Sequence, residues 1–143
     1  MIVDDRDAEL EGPWTEGTGL RGFVAHGYHY AARDAEATAR FQATVERPGR
    51  YEVRLAWLPH ENRGKTVPVT VTAAPATNGQ AAVTRSVNMS RPPRGENGFE
   101  SLGTVDLRTA GTVTVELSAR GADGHVHADA IQVVRVGDPR GDE

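Results

Sequence analysis

The feature that most constrains the fold of this chain is a strict alternation of apolar and polar residues. The stretch YEVRLAW, residues 51–57, places a large apolar side chain at every second position. A period of two is that of a β-strand with one buried face, because successive strand residues point to opposite sides. Residues 37–45 alternate in the same way, and the RPGR segment at 47–50 is typical of a turn. The two stretches therefore predict a strand–turn–strand unit.

Further alternating stretches predict strands along the rest of the chain. They cover 67–72, 81–87, 99–107, 112–118 and 125–136, with shorter strands at 2–3 and 26–30. A slip in the alternation near Ala130 and Ile131 predicts a β-bulge in the closing strand. About 8–10 short strands with frequent Gly and Pro turns and no helical period predict an all-β fold, an antiparallel β-sandwich of the jelly-roll type.

The length and composition predict one domain over residues 1–136 and a flexible tail at 137–143. A chain of 143 residues with 38 % hydrophobic residues can bury one core. The last seven residues, GDPRGDE, are polar and contain Gly and Pro, which is typical of a linker.

Charge and cysteine content exclude several classes of partner. The 16 basic and 20 acidic residues give a net charge of −4, whereas nucleic-acid binding favours a basic surface. No apolar run is long enough to cross a membrane. The chain has no cysteine, which excludes disulfides and thiolate metal sites. We expect no nucleic-acid partner, no membrane contact and a monomeric protein.

Several blocks of this sequence resemble one family of domains. The run GRYEVRLAW at 49–57 is similar to a strand motif of the golvesin C-terminal and xanthan-lyase carbohydrate-binding-like domains. Other blocks similar to the family follow in the same order: IVDD at 2–5, GPW at 12–14, GYHY at 27–30, NR at 62–63 with VPVTV at 67–71, SLG at 101–103 and GHVHADAI at 124–131. The sequence departs from the family at Glu100 and in a longer loop at 91–97, so the specificity of relatives is not carried over.

The resemblance implies a galactose-binding-like β-sandwich attached to a larger secreted enzyme. From it we expect a non-catalytic carbohydrate-binding module that contacts a polysaccharide or oligosaccharide and its parent enzyme domain in cis, in an extracellular or cell-envelope location. The alternatives are a structural or protein-docking domain that binds no sugar, and a small lyase or hydrolase. The sequence has no Gly-x-Ser-x-Gly elbow and no phosphate-binding glycine loop.

Aromatic side chains are the first set of candidate sugar-binding residues, because an aromatic face stacks on the C–H face of a pyranose. The candidates are Trp14, Tyr28, Tyr30 and Trp57. Each also has a structural alternative. Trp57 shares the apolar face of its strand and is expected in the core, and Trp14 could plug one end of the sandwich.

Polar residues in two loops are the second set. The loop at 58–66 carries His60, Asn62 and Arg63, and the loop at 90–98 carries Arg91 and Arg94. Arginine can hold the carboxylate of an acidic sugar with two parallel hydrogen bonds, so these residues favour an acidic polysaccharide. The alternative is that they brace their own loops.

Two patterns suggest metal ligands, although no cofactor is predicted. His125, His127 and Asp129 alternate on the closing strand, a spacing that could hold a transition metal. Structural calcium is implied by the resemblance to jelly-roll modules. Its oxygen ligands would be drawn from a list of four residues if the first and last strands are neighbours: Asp4, Asp5, Asp7 and Asp129.

Overall fold

A computed structural model describes residues 1–17, 28–75, 82–95 and 98–139. Its strands are β1 (Ile2–Asp4), β2 (Glu9–Glu11), β3 (Trp14–Gly17), β4 (Tyr28–Ala31), β5 (Thr38–Val45), β6 (Gly49–Ala56), β7 (Val67–Ala74), β8 (Val83–Val87), β9 (Phe99–Leu107), β10 (Gly111–Ser118), β11 (Val126–Ala128) and β12 (Ala130–Gly137). The helix among the described residues is a single 3-10 turn, Asp5–Asp7, and it is far too short and polar to cross a membrane.

The strands form three antiparallel sheets. Sheet A has the order β1-β12-β6-β9, sheet B the order β2-β5-β10-β7-β8, and sheet C the order β11-β4-β3. Sheets A and B pack face to face and share one apolar core. The architecture is the predicted all-β sandwich.

The alternating sequence pattern produces this core directly. In β5, and in β6 as far as Leu55, every second residue is buried and those between are partly or fully exposed. Phe41 of β5, Val53 of β6 and Val115 of β10 are all fully buried. Burying one face of each strand removes apolar area from water at roughly 25 cal/mol per Å², which drives the two sheets together.

The closing segment differs from its prediction. Instead of one strand with a bulge near Ala130 and Ile131, it forms β11 in sheet C and β12 in sheet A, with Asp129 between them. The register irregularity of β12 lies later, between Arg135 and Gly137. The bulge prediction is wrong because the slip in the alternation marks a change of sheet.

Other element predictions can be compared with the described residues. The edge strand predicted at 2–3 is confirmed, because β1 pairs with β12 at the border of sheet A. Parts of the predicted strands at 26–30 and 81–87, of the loop at 90–98 and of the tail lie outside the described residues, at positions 26–27, 81, 96–97 and 140–143.

Candidate functional site

Two loops meet at one end of the sandwich through their backbones. Gly64 donates its N–H to the carbonyl of His125 at 2.9 Å, and His125 donates to the carbonyl of Asn62 at 2.9 Å. A Cβ added to Gly124 would lie 2.6 Å from the nitrogen of Gly64, so only a residue without a side chain permits this approach. The two glycines thus join the loop at 58–66 to the turn that precedes β11.

An open depression of about 450 Å³ lies between these loops. Eight residues line it, of which three are cationic and two acidic. They are Arg33, Glu61, Asn62, Arg63, Lys65, Asp123, Gly124 and His125. The depression is a surface feature formed by polar groups, which suits contact with a hydroxyl-rich or charged molecule.

Arg63 has the most unusual environment in the depression. The residue is 7 % exposed, and its guanidinium carbon lies 5.8 Å from the centre of the Tyr30 ring. Its Nη1 donates to Oδ1 of Asn62 at 2.9 Å, whereas its Nε is buried and has no hydrogen-bond partner. Burial lowers the pKa of the guanidinium below its ordinary value. Among the described residues, no carboxylate forms an ion pair with Arg63.

His127 lies behind Arg63 and holds the start of the first loop. The residue is fully buried, and its Nδ1 accepts the backbone N–H of Leu58 at 3.2 Å. Its ring centre is 4.4 Å from that of Tyr28. Burial, with a smaller contribution from Arg63, lowers the pKa of the imidazole to about 3. The ring is therefore neutral at pH 7, and because Nδ1 accepts, its proton is on Nε2.

Asp123 ties the two loops together from the outer side. Its Oδ1 accepts the backbone N–H of Lys65 at 2.8 Å and that of Thr66 at 3.0 Å. The hydrogen bond from Thr66, followed by that from Lys65, holds the pKa of this carboxyl below its usual range. Asp123 is thus ionised, and its hydrogen bonds fix the backbone of the loop at 58–66.

Sheet C carries the two tyrosines of the candidate set. Tyr28 is buried against His127, whereas Tyr30 is partly exposed and lies under Arg63. Tyr30 is thus the aromatic candidate that meets Arg63 at the depression. Trp14, half-buried on β3, donates its indole N–H to the carbonyls of Glu11 at 2.9 Å and Thr38 at 3.1 Å. Its polar edge is therefore turned toward the protein.

In the structure Trp57 lies in the core, and Arg91 is engaged in contacts within the protein. Trp57 is 1 % exposed, so its ring faces cannot meet a sugar, and its indole N–H donates to the carbonyl of Arg91 at 2.8 Å. Arg91 forms a two-bond ion pair with Glu100 at 2.7 and 3.1 Å. Glu100 also accepts the backbone N–H of Arg94 at 2.9 Å. The side chains of Arg91 and Arg94 do not line the depression.

His60 remains in the first loop without reaching the lining. It is exposed, and its Nδ1 accepts the backbone N–H of Asn62 at 3.2 Å. Of the nine predicted residues, the structure brings Asn62, Arg63 and Tyr30 together. It adds six lining residues that were not among those nine, namely Arg33, Glu61, Lys65, Asp123, Gly124 and His125. The sequence feature that could have indicated these residues is the pair of glycines Gly64 and Gly124, because they allow the two loops to approach closely.

The two metal patterns have different outcomes. His125, His127 and Asp129 do not form a ligand group in the described part of the chain, because the chain leaves sheet C after Ala128. Asp129 instead meets Asp4 and Asp5, with one carboxylate oxygen from each lying within 4.8 Å of the others. The first and last strands are neighbours, as the calcium expectation required. All donors are hard oxygen atoms, so these residues fit calcium, whereas Asp7 lies outside the group.

Solved structures define the class to which this fold belongs. A family 35 carbohydrate-binding module from Clostridium thermocellum is similar over 95 % of this chain and 98 % of its own, with a TM-score of 0.63 and 12 % identity. A xanthan lyase from Paenibacillus is similar over 94 % of this chain and 13 % of that chain, with a TM-score of 0.79 and 26 % identity. The fold is that of β-sandwich carbohydrate-binding modules.

Sequence comparison narrows the class to one family. Residues 1–135 match the model of the golvesin C-terminal domain, and the chain belongs to that family. Xanthan lyase from Bacillus sp. (strain GL1) is 31 % identical over an alignment 145 residues long, and this alignment covers 96 % of this chain. The chain spans only 15 % of the length of that enzyme.

Proposed function

We propose that this chain is a non-catalytic carbohydrate-binding module of a larger secreted enzyme, and that it binds an acidic polysaccharide in the depression between the two loops. The family and the fold support a binding role, since the related domains are parts of larger polysaccharide-acting proteins. The observation that carries the proposal is Arg63, a largely buried cation without an anionic partner among the described residues.

The buried positive charge of Arg63 favours an anionic ligand. A charge removed from water is unfavourable by several kcal/mol unless an opposite charge or hydrogen bonds compensate it. The Nε–H of Arg63 is a donor without an acceptor. A sugar carboxylate at the mouth of the depression would accept from Arg63 and would lie near the cations of Arg33 and Lys65.

The state of Asp123 supports a binding role over catalysis. Glycoside cleavage by a carboxyl pair needs one protonated acid, whose pKa is raised. The pKa of Asp123 is lowered instead, and its Oδ1 is occupied by backbone N–H groups. In this proposal Asp123 shapes the depression and the parent enzyme supplies the chemistry.

Affinity gel electrophoresis against acidic and neutral polysaccharides tests the proposal. We expect retardation by an acidic polysaccharide that weakens with added salt. Arg63→Met should lower the affinity about tenfold or more, because hydrogen bonds to charged groups contribute roughly 1.5–3 kcal/mol. Lys65→Ala should lower it less, since Lys65 is exposed.

The matched control is Arg40→Ala on the outer face of sheet B, where Arg40 pairs with Glu116 away from the depression. It removes the same charge as Arg63→Met and should leave the affinity unchanged. Equal retardation of the wild type and Arg63→Met would contradict the proposed site. A folded domain that binds no polysaccharide would favour the docking alternative.

One observation favours that docking alternative. Met1, Ile2 and Val136 are large apolar residues with exposures of 61, 51 and 51 % on the border formed by β1 and β12. Exposed apolar groups on a module can contact another domain. Both roles are compatible, because this border and the depression are separate surfaces.

A further inference from the structure

A narrow crevice lies on one side of the sandwich, between the border strands of the two large sheets. β8 is the last strand of sheet B, and β9 is the last strand of sheet A. The crevice has about 40 Å³ of space and is lined by residues of β7, β8 and β9. Five of the lining residues are aliphatic: Val71, Ala73, Val83, Leu102 and Val105.

The inner face of β8 is left uncovered beside this crevice. Val83 pairs with Val71 of β7, and paired residues of neighbouring strands point to the same side of a sheet. Arg85 pairs with Val69 and therefore also points inward. Val69 and Val71 are buried in the core, whereas Val83 is 43 % exposed and Arg85 is exposed. Sheet A therefore does not cover this part of β8.

Arg85 places a positive charge at the crevice. No carboxylate in the described part of the chain forms an ion pair with it. A Cβ added to Gly103 would lie 3.1 Å from Nη2 of Arg85, so the guanidinium lies close to the backbone of β9 at this glycine. The crevice thus combines an aliphatic lining with a cation that is available to an anionic ligand.

The size of the crevice limits the size of its occupant. A cavity that holds one water has roughly 10–15 Å³, so this crevice holds about three groups of that size. One valine or leucine side chain is of that size. Arginine binds carboxylates well, so the occupant that fits has a small aliphatic group close to a carboxylate. The last residue of a polypeptide has both, because its Cα carries the side chain and the terminal carboxylate.

The free edge of β9 favours such a chain end over a longer strand. Among the described strands, only β6 pairs with β9, so the backbone groups along the other edge of β9 face no strand. Leu102 is an extra residue at a bulge, where the register with β6 shifts between Val53 and Arg54. A bulge interrupts the regular ladder, which disfavours a long added strand and leaves room for a short one.

We infer that this crevice binds the C-terminal end of a partner polypeptide whose last residue is valine or leucine. The aliphatic side chain fills the crevice, the terminal carboxylate accepts hydrogen bonds from Arg85, and the preceding backbone pairs with the edge of β9. The inference does not depend on polysaccharide binding, because the crevice and the depression have no lining residue in common among those described.

NMR titration of the ¹⁵N-labelled domain tests the inference. The probe is an N-acetylated pentapeptide of glycine and serine that ends in leucine with a free carboxylate. We expect saturable shifts of the amide signals of Val83, Arg85 and Gly103. The same peptide with an amidated C-terminus should bind about tenfold or more weakly, because it lacks the charged acceptor. A peptide that ends in glycine should also bind more weakly, since it leaves the crevice unfilled.

Two substitutions with matched controls locate the site. Arg85→Met should weaken peptide binding about tenfold or more, whereas Arg120→Met, at an exposed arginine after β10, should leave it unchanged. Val83→Glu should abolish binding, because it places a carboxylate beside Arg85 in the crevice. Thr84→Glu is its control, since Thr84 is on the outer face of the same strand, next to Thr70. The substituted positions in β8 are exposed, so we expect these variants to fold.

Four results would overturn the inference. The absence of saturable shifts with the leucine peptide would leave Arg85 the role of keeping other strands from pairing at this edge. Equal affinity for the amidated peptide would exclude recognition of the carboxylate. Unchanged affinity in Val83→Glu would place the peptide elsewhere. If 4-methylpentanoate, which has the leucine side chain and the carboxylate without a peptide backbone, bound as tightly as the peptide, the crevice would be a site for small aliphatic acids.

The two proposals are separated by one further measurement. Arg85→Met should leave retardation by an acidic polysaccharide unchanged, because that retardation depends on Arg63. Arg63→Met should likewise leave peptide binding unchanged. Loss of peptide binding in Arg63→Met would contradict the separate location of the crevice.

Discussion

Arg63 and His127 show how one environment acts differently on two side chains. Both are buried at the same end of the sandwich, and burial lowers the pKa of each. An imidazole can lose its proton near neutral pH, so His127 becomes neutral and accepts the N–H of Leu58. A guanidinium cannot, so Arg63 keeps its charge in a place that has little water. In our proposal, Arg63 selects an anionic ligand because it cannot lose its charge.

His127 makes the stability of the domain sensitive to acid. The pKa of His127 is about 3 in the folded state, whereas its ordinary value is 6.5. Between these two pH values the unfolded chain binds a proton at His127 and the folded protein does not. The free energy of unfolding should therefore fall as the pH decreases toward 3, by about 1.4 kcal/mol per pH unit from this group. Denaturant titrations at several pH values would measure this slope.

His127→Asn is the comparison that isolates this slope, because an Asn oxygen can still accept from Leu58. The variant should be less stable at pH 7 and should lose the acid-dependent part. Asp5, with its raised pKa, acts in the opposite direction in both proteins and so does not affect the difference. Parallel pH profiles for the two proteins would show that His127 titrates normally.

At the scale of elements, the loop after β8 is held by charge. The side chain of Arg91 forms an ion pair with Glu100 of β9. The backbone carbonyl of Arg91 accepts the indole N–H of Trp57, which follows β6. The pKa of Glu100 is lowered, chiefly by its hydrogen bond with Arg91. Arg91, a predicted sugar-binding residue, therefore fixes its own loop over the core through this ion pair.

Glu100→Ala should loosen this loop without affecting polysaccharide binding. We expect a loss of roughly 1–2 kcal/mol in the free energy of unfolding, because the variant loses a partly buried two-bond ion pair. Trypsin should cleave after Arg94 faster than in the wild type. Glu116→Ala, which removes an exposed ion pair on sheet B, should leave that cleavage rate unchanged. A trypsin pattern identical to that of the wild type would contradict the role given to Glu100.

At the scale of the whole molecule, sheets A and B depend on one another. Core residues of both sheets belong to one large cluster, and sheet A buries a second, much smaller group made of Ala56, Phe99 and Ala130. Sheet C joins them, since β4 and β11 bury Ala31 and Val126 in that core and present Tyr28 and Tyr30 on the other face. The site is thus supported by the entire sandwich.

Phe41→Ala in sheet B should therefore destabilise the whole domain. A buried Phe→Ala substitution lowers the free energy of unfolding by about 3–5 kcal/mol. Tryptophan fluorescence, which follows Trp57 next to sheet A and Trp14 in sheet C, and far-UV circular dichroism should give the same lowered denaturation midpoint. Gln42→Ala on the outer face is the control and should change stability by no more than about 0.5 kcal/mol. Separate midpoints for the two probes would mean that the sheets unfold independently.

Most of the fold was predictable from the sequence, and about a third of the proposed aromatic and polar set meets at the depression. The alternation at 37–45 and 51–57 predicts strands because burial of one strand face is a local, period-two property. The same reasoning assigned loop boundaries near Asn62 and Arg63. It could not choose between core and surface for Trp57, nor between ligand and brace for Arg91, because both depend on partners 34 and 9 residues away.

The sequence by itself determined the class of fold, the family and the loops that carry polar groups, since each follows from local pattern and order along the chain. Tertiary structure decided that the last segment divides between two sheets, that Asp129 joins Asp4 and Asp5, and that Arg63 is buried against Tyr30. The physical reason is that the burial and charge of a side chain are set by residues brought close only when the sheets pack.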